Sequence, residues 1–353
     1  MAGNKPQRIA VIPGDGIGID VTAEATKVLN TLISSRKLPI ELVEFDWGAE
    51  KYLREGVSLP KDAFEMFRRE FQALFIGALG DPRVPDMKHA ADILLGTRFG
   101  LDLYVNQRPV KLLDARLCPL KNRTGKDVNF VVFRENTEGL YVGMGGNFKR
   151  GTPDEIAIQE DVNTRKGVER ILVFAFEYAR KKGLKKLCMS DKSNALPFGH
   201  GLWQRTFAEV RERYPEIESW HLYVDALTMQ MVKNPAQFEV IVTCNMFGDI
   251  VSDLGAQLQG GLGLAASANL NPGHVSMFEP VHGSAPKYAG KNIANPMAAI
   301  LTVGMMLDYL GFGQEAAEVE RVVAEAIHQD KTTRDFGGPL GTREVGDWIC
   351  AHL

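Results

Sequence analysis

Two aspartates, Asp249 and Asp253, follow the apolar run Val240 to Thr243 within Glu239-Val-Ile-Val-Thr-Cys-Asn-Met-Phe-Gly-Asp-Ile-Val-Ser-Asp253. A helix beginning near Asp249 would set both carboxylates on one face. Two carboxylates converging at the end of a buried strand suit a hard divalent cation such as Mg²⁺ or Mn²⁺. A helix N-cap aspartate followed by a solvated one gives the same spacing, so both readings stand at this point. Three arginines, Arg98, Arg108 and Arg134, lie at or near the edges of apolar segments. Guanidinium groups bind carboxylates bidentately, so three gathered at one cleft would make a dicarboxylate pocket. Each taken singly also fits a surface ion pair. The loop Gly14-Asp-Gly-Ile-Gly18 follows a strand but reads GxGxG rather than GxGxxG, and no acidic residue ends a clean second strand about twenty positions on. A Rossmann site is disfavoured. Three glycines in five residues still mark a turn that brings backbone close to something.

These residues need a scaffold of alternating elements. Arg8 to Ile12 reads as a strand, followed by a glycine turn and a helix from about Asp20 to Ser34. Ile40 to Phe45, Ala73 to Gly77, Val128 to Phe133, Lys186 to Met189 and Val240 to Thr243 read as further strands. Helical patterns cover Lys61 to Glu70, Arg165 to Lys182, Gly201 to Tyr214, Pro296 to Leu310 and Gln314 to His328. Such alternation specifies an α/β architecture with largely parallel strands. The cluster Gly260-Gly261-Leu262-Gly263 looks like a crossing between lobes. At 353 residues the chain exceeds the size at which single cores stop growing, so two domains are expected. A net charge of −3 without a basic stripe excludes nucleic acid and anionic membrane as main partners. Cys118, Cys188, Cys244 and Cys350 form no CxxC or Cys/His cluster, as in a reduced, cytoplasmic protein. The opening residues run into an apolar stretch that Pro13 ends early, unlike a signal peptide. No apolar run reaches the ~20 residues of a membrane span.

Six segments in order carry a resemblance. They are Ile12-Pro-Gly-Asp-Gly-Ile-Gly18, Asp102-Leu-Tyr-Val-Asn-Gln-Arg-Pro109, Arg134-Glu-Asn-Thr-Glu-Gly-Leu-Tyr141, Asp191-Lys-Ser-Asn194, Asn245 to Asp253, and Phe278-Glu-Pro-Val-His-Gly-Ser-Ala-Pro286 with Ala294-Asn-Pro296. The chain resembles the metal-dependent β-decarboxylating dehydrogenases, the family of isocitrate, homoisocitrate, 3-isopropylmalate and D-malate/tartrate dehydrogenases. The resemblance implies a two-lobed α/β fold of the isopropylmalate/isocitrate type, not a Rossmann fold. Residues 1–103 and 261–353 would form a large, discontinuous cofactor-side domain, and 104–260 a small domain with the metal site and dimer interface. It also implies a two-fold homodimer with shared active sites acting on a malate-type small molecule.

Residue by residue, the resemblance assigns Asp249 and Asp253 to Mg²⁺ or Mn²⁺, with Asp225 of the partner subunit completing the set. Arg98, Arg108 and Arg134 would hold the malate carboxylates. Lys192 and Tyr141 would be the proton-transfer pair, Lys192 reaching across the dimer interface. Ile12, Gly14, Asn194, Glu279, His282, Gly283 and Asn295 would line the nicotinamide cofactor. A non-catalytic regulatory subunit would be expected to lack at least one of Lys192, Tyr141, Asp225, Asp249 and Asp253, and all are present.

Substrate and cofactor rest on fewer positions. Leu94 and Leu95 stand where isocitrate enzymes typically place serine and asparagine, and an apolar wall there favours an alkyl substituent. The likeness is strongest to the 3-isopropylmalate branch, which forms 2-oxoisocaproate in leucine biosynthesis. D-malate/tartrate, isocitrate and homoisocitrate remain the alternatives, and both leucines could instead face a core. Asp92 is the nearest acidic residue before the pair. After His-Gly-Ser-Ala-Pro, NAD-dependent relatives carry an aspartate for the ribose hydroxyls. Here Lys287 and Tyr288 follow, and Arg334 adds a second positive charge. That pattern favours NADP⁺ over NAD⁺, although Gly337-Gly338 follows the NAD-using members.

Overall fold

The computed structural model describes residues 6–353. The chain forms two compact units. One contains the residues up to Leu103 with Leu112–Gly125 and Ala256–Leu353, the other Tyr104–Lys111 with Lys126–Gly255. Residues 112–125 and 256–260 thus belong with the first unit rather than with the 104–260 domain expected from sequence. Among the described residues the architecture is mixed α/β with mostly parallel strands and no closed barrel.

Among the described residues the strands are β1 (Gln7–Ile12), β2 (Ile40–Glu44), β3 (Ala73–Ile76), β4 (Val105–Lys111), β5 (Asn129–Glu135), β6 (Gly145–Phe148), β7 (Ile156–Gln159), β8 (Lys186–Asp191), β9 (Glu218–Tyr223), β10 (Val240–Thr243), β11 (Ala266–Leu270) and β12 (Ser276–Pro280). The first unit orders its strands β2-β1-β3-β12-β11, all parallel except the β11–β12 pair. Its core gathers Ile12, Trp47, Phe67, Phe71, Leu74, Ile76, Ile93 and Met277. The helix Ala63–Glu70 buries Ala63 and Phe67 and packs Phe64 and Met66 partly against the same core, and full burial of one such phenylalanine is worth roughly 2 kcal/mol.

The second unit orders its strands β4-β5-β10-β8-β9, with β4 antiparallel to β5 and the rest parallel. Its register positions the chemistry. Thr243 lies beside both Arg134 and Ser190, and Asp191 beside Tyr223. The carboxyl ends of β5, β10, β8 and β9 therefore share one edge, where α/β folds place ligands. The helix Arg165–Lys182 begins at Thr164, whose hydroxyl accepts from Gly167 N–H, and ends at Gly183 in the left-handed region (φ 72°). Both signals are readable in sequence, which is why its expected bounds match. Thr164→Ala should cost about 1 kcal/mol, measured as a fall in urea-unfolding free energy.

Two expectations need correction. The helix expected near Asp249 starts at Asn245 and runs to Leu258. Gly248 sits inside this helix. A Cβ there would lie 2.5 Å from Cβ and Cγ of Arg134, so glycine is what lets the helix rest on that arginine. The Gly260–Gly263 cluster lies within the first unit, and the change of unit falls earlier, between Gly255 and Ala256. Among the described residues no helix is long and apolar enough to cross a membrane.

Candidate functional site

With the helix starting at Asn245, Asp249 stands in its second turn and cannot be its N-cap, which removes the cap reading. The spacing to Asp253 still places both carboxylates on one face. Arg134, at the end of β5 and 1% exposed, sends Nη1 to Asp249 Oδ1 at 2.5 Å. Its Nε and Nη2 donate to Asn245 Oδ1 at 2.9 and 2.7 Å. Arg108, on β4, reaches Asp249 at 3.2 Å and Asp253 at 3.4 Å, and donates to Ser252 Oγ at 2.8 Å. Tyr141 lies in the turn after β5 and donates its hydroxyl to Asp249 Oδ2 at 3.1 Å. Partial burial, reinforced by the Asp249 carboxylate, raises the Tyr141 phenol above its ordinary pKa, so it stays protonated. Burial also raises the Asp253 carboxyl, against the lowering influence of Arg108. Two aspartates and two guanidiniums thus face one another. The aspartates are hard oxygen donors suited to a divalent cation, and the arginines are suited to a substrate carboxylate.

A second group forms at the ends of β8 and β9. Lys192 Nζ meets Asp225 Oδ1 at 2.8 Å, and this contact, its largest influence, holds the Asp225 carboxyl below the usual range. The Lys192 main-chain N–H donates to Nδ1 of buried His200 at 2.8 Å, so that nitrogen is the acceptor. The neighbouring Asp191 is fully buried. It accepts from Ser193 N–H at 3.0 Å and Gln204 Nε2 at 2.8 Å, and lies 2.9 Å from His221 Nε2. Burial pushes its pKa up, but His221 and the Ser193 amide outweigh that and hold it low. Among the described residues no three acidic, His or Cys side chains gather as a metal cluster. Asp225 therefore does not join Asp249 and Asp253 within one chain. The donor set fits a cation only as two aspartates plus a ligand from elsewhere.

The remaining candidates lie in the first unit, apart from Asn194, which is exposed in the turn after Lys192. The helix Lys88–Gly100 carries Leu94, Leu95 and Arg98. Leu94 packs partly against the core of the first unit, and Leu95 is half-buried. Arg98 Nη2 donates to Glu279 Oε1 at 2.9 Å, and Asn269 Nδ2 donates to the same oxygen at 2.8 Å. The Nε of Arg98 is buried without a partner, a donor left over for an incoming acceptor. Asn295 donates to Asp335, next to Arg334, at 3.0 Å. His282 Nδ1 lies against Gly283 O, and burial lowers the pKa of this ring. Lys287 Nζ lies 4.6 Å over the Tyr288 ring. Gly283 and Lys287 help line a pocket of about 660 Å³ with Leu79, Gly80, Ser284 and Pro286.

The glycine loop shows why it is glycine. Cβ atoms at Gly14 and Gly16, both at positive φ, would stand 2.2 Å from Ala78 O and 2.1 Å from Ser284 O. Backbone of the same unit fills that space. Asp15, His89, Ser284 and His200 carry no local signal in the sequence that would single them out. All are buried, and the pairs Asp15–His89 and Ser284–Gly80 lie too far apart in the chain to be found from spacing.

The family profile described as Isocitrate/isopropylmalate dehydrogenase matches residues 8–349. A Thermobifida fusca protein named 3-isopropylmalate dehydrogenase is 45% identical over 98% of this chain and 97% of its own length. One of the same name from Corynebacterium glutamicum is 47% identical over 98% and 99%. A crystal structure of isocitrate dehydrogenase from Methylococcus capsulatus superposes with a TM-score of 0.88 at 37% identity, covering 98% of this chain and 99% of that one.

Proposed function

Because this chain belongs to the isocitrate/isopropylmalate dehydrogenase family, we propose that it oxidises and decarboxylates 3-isopropylmalate to 2-oxoisocaproate, passing hydride to a nicotinamide dinucleotide. Identities of 45% and 47% over nearly the whole chain to proteins named 3-isopropylmalate dehydrogenase support the substrate choice. When bound, a divalent cation (Mg²⁺ or Mn²⁺) would supply Lewis-acid polarisation of the substrate hydroxyl and carboxylate, and the dinucleotide would supply the hydride acceptor. Asp249 and Asp253 would hold the cation together with Asp225 of the partner subunit.

The chain's own residues bind and move protons. Within the second unit, Arg108 and Arg134 would neutralise a substrate carboxylate. Freed from its ion pair with Asp225 and present as the neutral amine, Lys192 would accept the hydroxyl proton directly or through water and become the ammonium. Tyr141, kept protonated by its surroundings, returns a proton to the enol carbon after CO₂ leaves. Presence of Lys192, Tyr141, Asp225, Asp249 and Asp253 argues against a regulatory subunit without activity.

Two observations support a homodimer with shared sites. Lys192 and Asp225 are paired with each other, away from Asp249 and Asp253, so each chain offers two half-sites that a two-fold axis could match. The hairpin β6–β7 also leaves Phe148, Ile156 and Ile158 exposed at 63, 52 and 56%, more apolar surface than an isolated hairpin sustains in water. Four unbridged cysteines suit a reducing, cytoplasmic setting.

For the cofactor, Lys287 and Arg334 would favour the 2′-phosphate of NADP⁺ over NAD⁺. Lys287→Asp should then lower the NADP⁺/NAD⁺ ratio of kcat/KM by about tenfold. An unchanged ratio would refute that role. A panel of 3-isopropylmalate, D-malate, tartrate, isocitrate and homoisocitrate, with each cofactor and Mg²⁺, tests the substrate. 3-Isopropylmalate should lead by at least about tenfold in kcat/KM, and a lead for any other acid would replace the proposed substrate.

A further inference from the structure

The buried pair Asp15–His89 takes no part in the chemistry above, yet it joins three loops of the first unit to one of its helices. Asp15 is 4% exposed. One carboxylate oxygen accepts Ala49 N–H at 2.6 Å. The other accepts Gly80 N–H at 2.8 Å and lies 2.9 Å from His89 Nε2. A carboxylate with these donors accepts, so Nε2 carries the proton. His89 Nδ1 has no partner, which leaves the fully buried ring held in hydrogen bonding through Nε2.

The loops it holds are tied to one another as well. Asp15 N–H donates to Ala78 O and Ile17 N–H to Ser284 O, each at 2.7 Å. Ser284 Oγ donates to Gly80 O at 2.6 Å. Gly80, Ser284, Pro286 and Lys287 line the pocket beside them. His89 itself belongs to the helix that carries Leu94, Leu95 and Arg98. The Asp15 carboxylate thus fixes the heights of the 14–18, 48–49 and 79–80 backbone segments relative to that helix, and His89 is the side chain that makes the link. Removing the imidazole would leave a buried carboxylate one donor short. The loops would then shift to recover hydration.

We infer that His89 is a positioning residue for the dinucleotide: through Asp15 it sets the loops that receive the cofactor and ties them to the helix that carries Leu94, Leu95 and Arg98. This rests on the reading that a nicotinamide dinucleotide binds at these loops.

The test uses full-length protein with His89→Leu, His89→Gln and His89→Asn, and measures NAD⁺ and NADP⁺ binding by calorimetry alongside steady-state kinetics. Glutamine can place an amide N–H where Nε2 stands, whereas asparagine is too short to reach. His89→Leu and His89→Asn should raise Kd and KM for the cofactor about tenfold, the loss of one charge-assisted hydrogen bond. Their kcat at saturating cofactor should stay within about twofold of the unsubstituted protein. His89→Gln should bind within about threefold of it. Cofactor Kd unchanged in all three variants, or equal losses for Gln and Asn, would overturn the proposal. So would a fall in kcat at unchanged cofactor KM. If His89→Leu does not fold, the Gln and Asn pair decides alone. Unsubstituted protein that bound neither dinucleotide would overturn the cofactor reading beneath the proposal, a failure distinct from the others.

Discussion

Lys192→Ala should lower kcat by about 10³-fold, the loss of a proton-transfer group, and co-expression with inactive Asp253→Asn should bring activity back. Lys192 and Asp225 are joined at 2.8 Å at the ends of β8 and β9. Asp249, Asp253, Tyr141, Arg108 and Arg134 form the other group. If a two-fold axis lets the first group of one chain complete the second group of its partner, a mixed dimer has one site with both lesions and one with neither. Random assembly makes about half the dimers mixed, so about a quarter of full activity should return. Asp225→Asn belongs with Lys192→Ala and should not rescue it, whereas Tyr141→Phe should rescue either. Gel-purified heterodimers carrying distinct tags give the measurement directly. If Lys192→Ala and Asp253→Asn never complement, each chain serves its own site and the shared-site reading fails.

The complementation groups could not have been drawn from spacing. The strand β10 and the helix Arg165–Lys182 were legible to the residue, because a buried β-branched run and a Thr-to-Gly pair of caps are local signals. The helix Lys88–Gly100 lacks them. It begins after Met87 in the left-handed region (φ 51°), with no side-chain cap. In β4, Pro109 argues against a strand by rule, yet it pairs with β5 along seven positions. In β6, Gly145 and Gly146 hide a hairpin whose partner strand is wholly exposed.

The site divides the same way. The i, i+4 spacing of Asp249 and Asp253 is local and was readable. Arg134 meets Asp249 across 115 positions and His89 meets Asp15 across 74, and only the order of strands in the sheet brings such pairs together. Gly248 makes the reason concrete. Read locally it stops a helix; in the fold it is the one residue small enough to seat that helix on Arg134.

That seat makes Arg134→Leu the second large effect. The guanidinium is almost fully buried, gives two N–H groups to Asn245 Oδ1 and one to Asp249, and stacks 5.3 Å above the Tyr141 ring. Leucine fills part of the volume but leaves the Asn245 carbonyl and one side of Asp249 without those donors. Breaking a buried pair from one side costs roughly 3–5 kcal/mol. Asp249 is about one-third exposed, and Arg108 still reaches it, so solvent and the second guanidinium reduce the loss to about 2–3 kcal/mol. Urea unfolding followed by tryptophan fluorescence should show that drop. Activity should fall further than stability, by about 10³-fold in kcat/KM under conditions where the variant is folded, because a substrate carboxylate would lose a bidentate partner. Arg134→Lys separates the two effects. It keeps the charge, so the stability loss should shrink to about 1–2 kcal/mol, but a single ammonium cannot serve Asn245, Asp249 and a carboxylate at once. Activity in the lysine variant should therefore stay at least about tenfold below that of the unsubstituted protein. A lysine variant with full kcat/KM would mean that Arg134 holds the helix alone and that the substrate is bound without it.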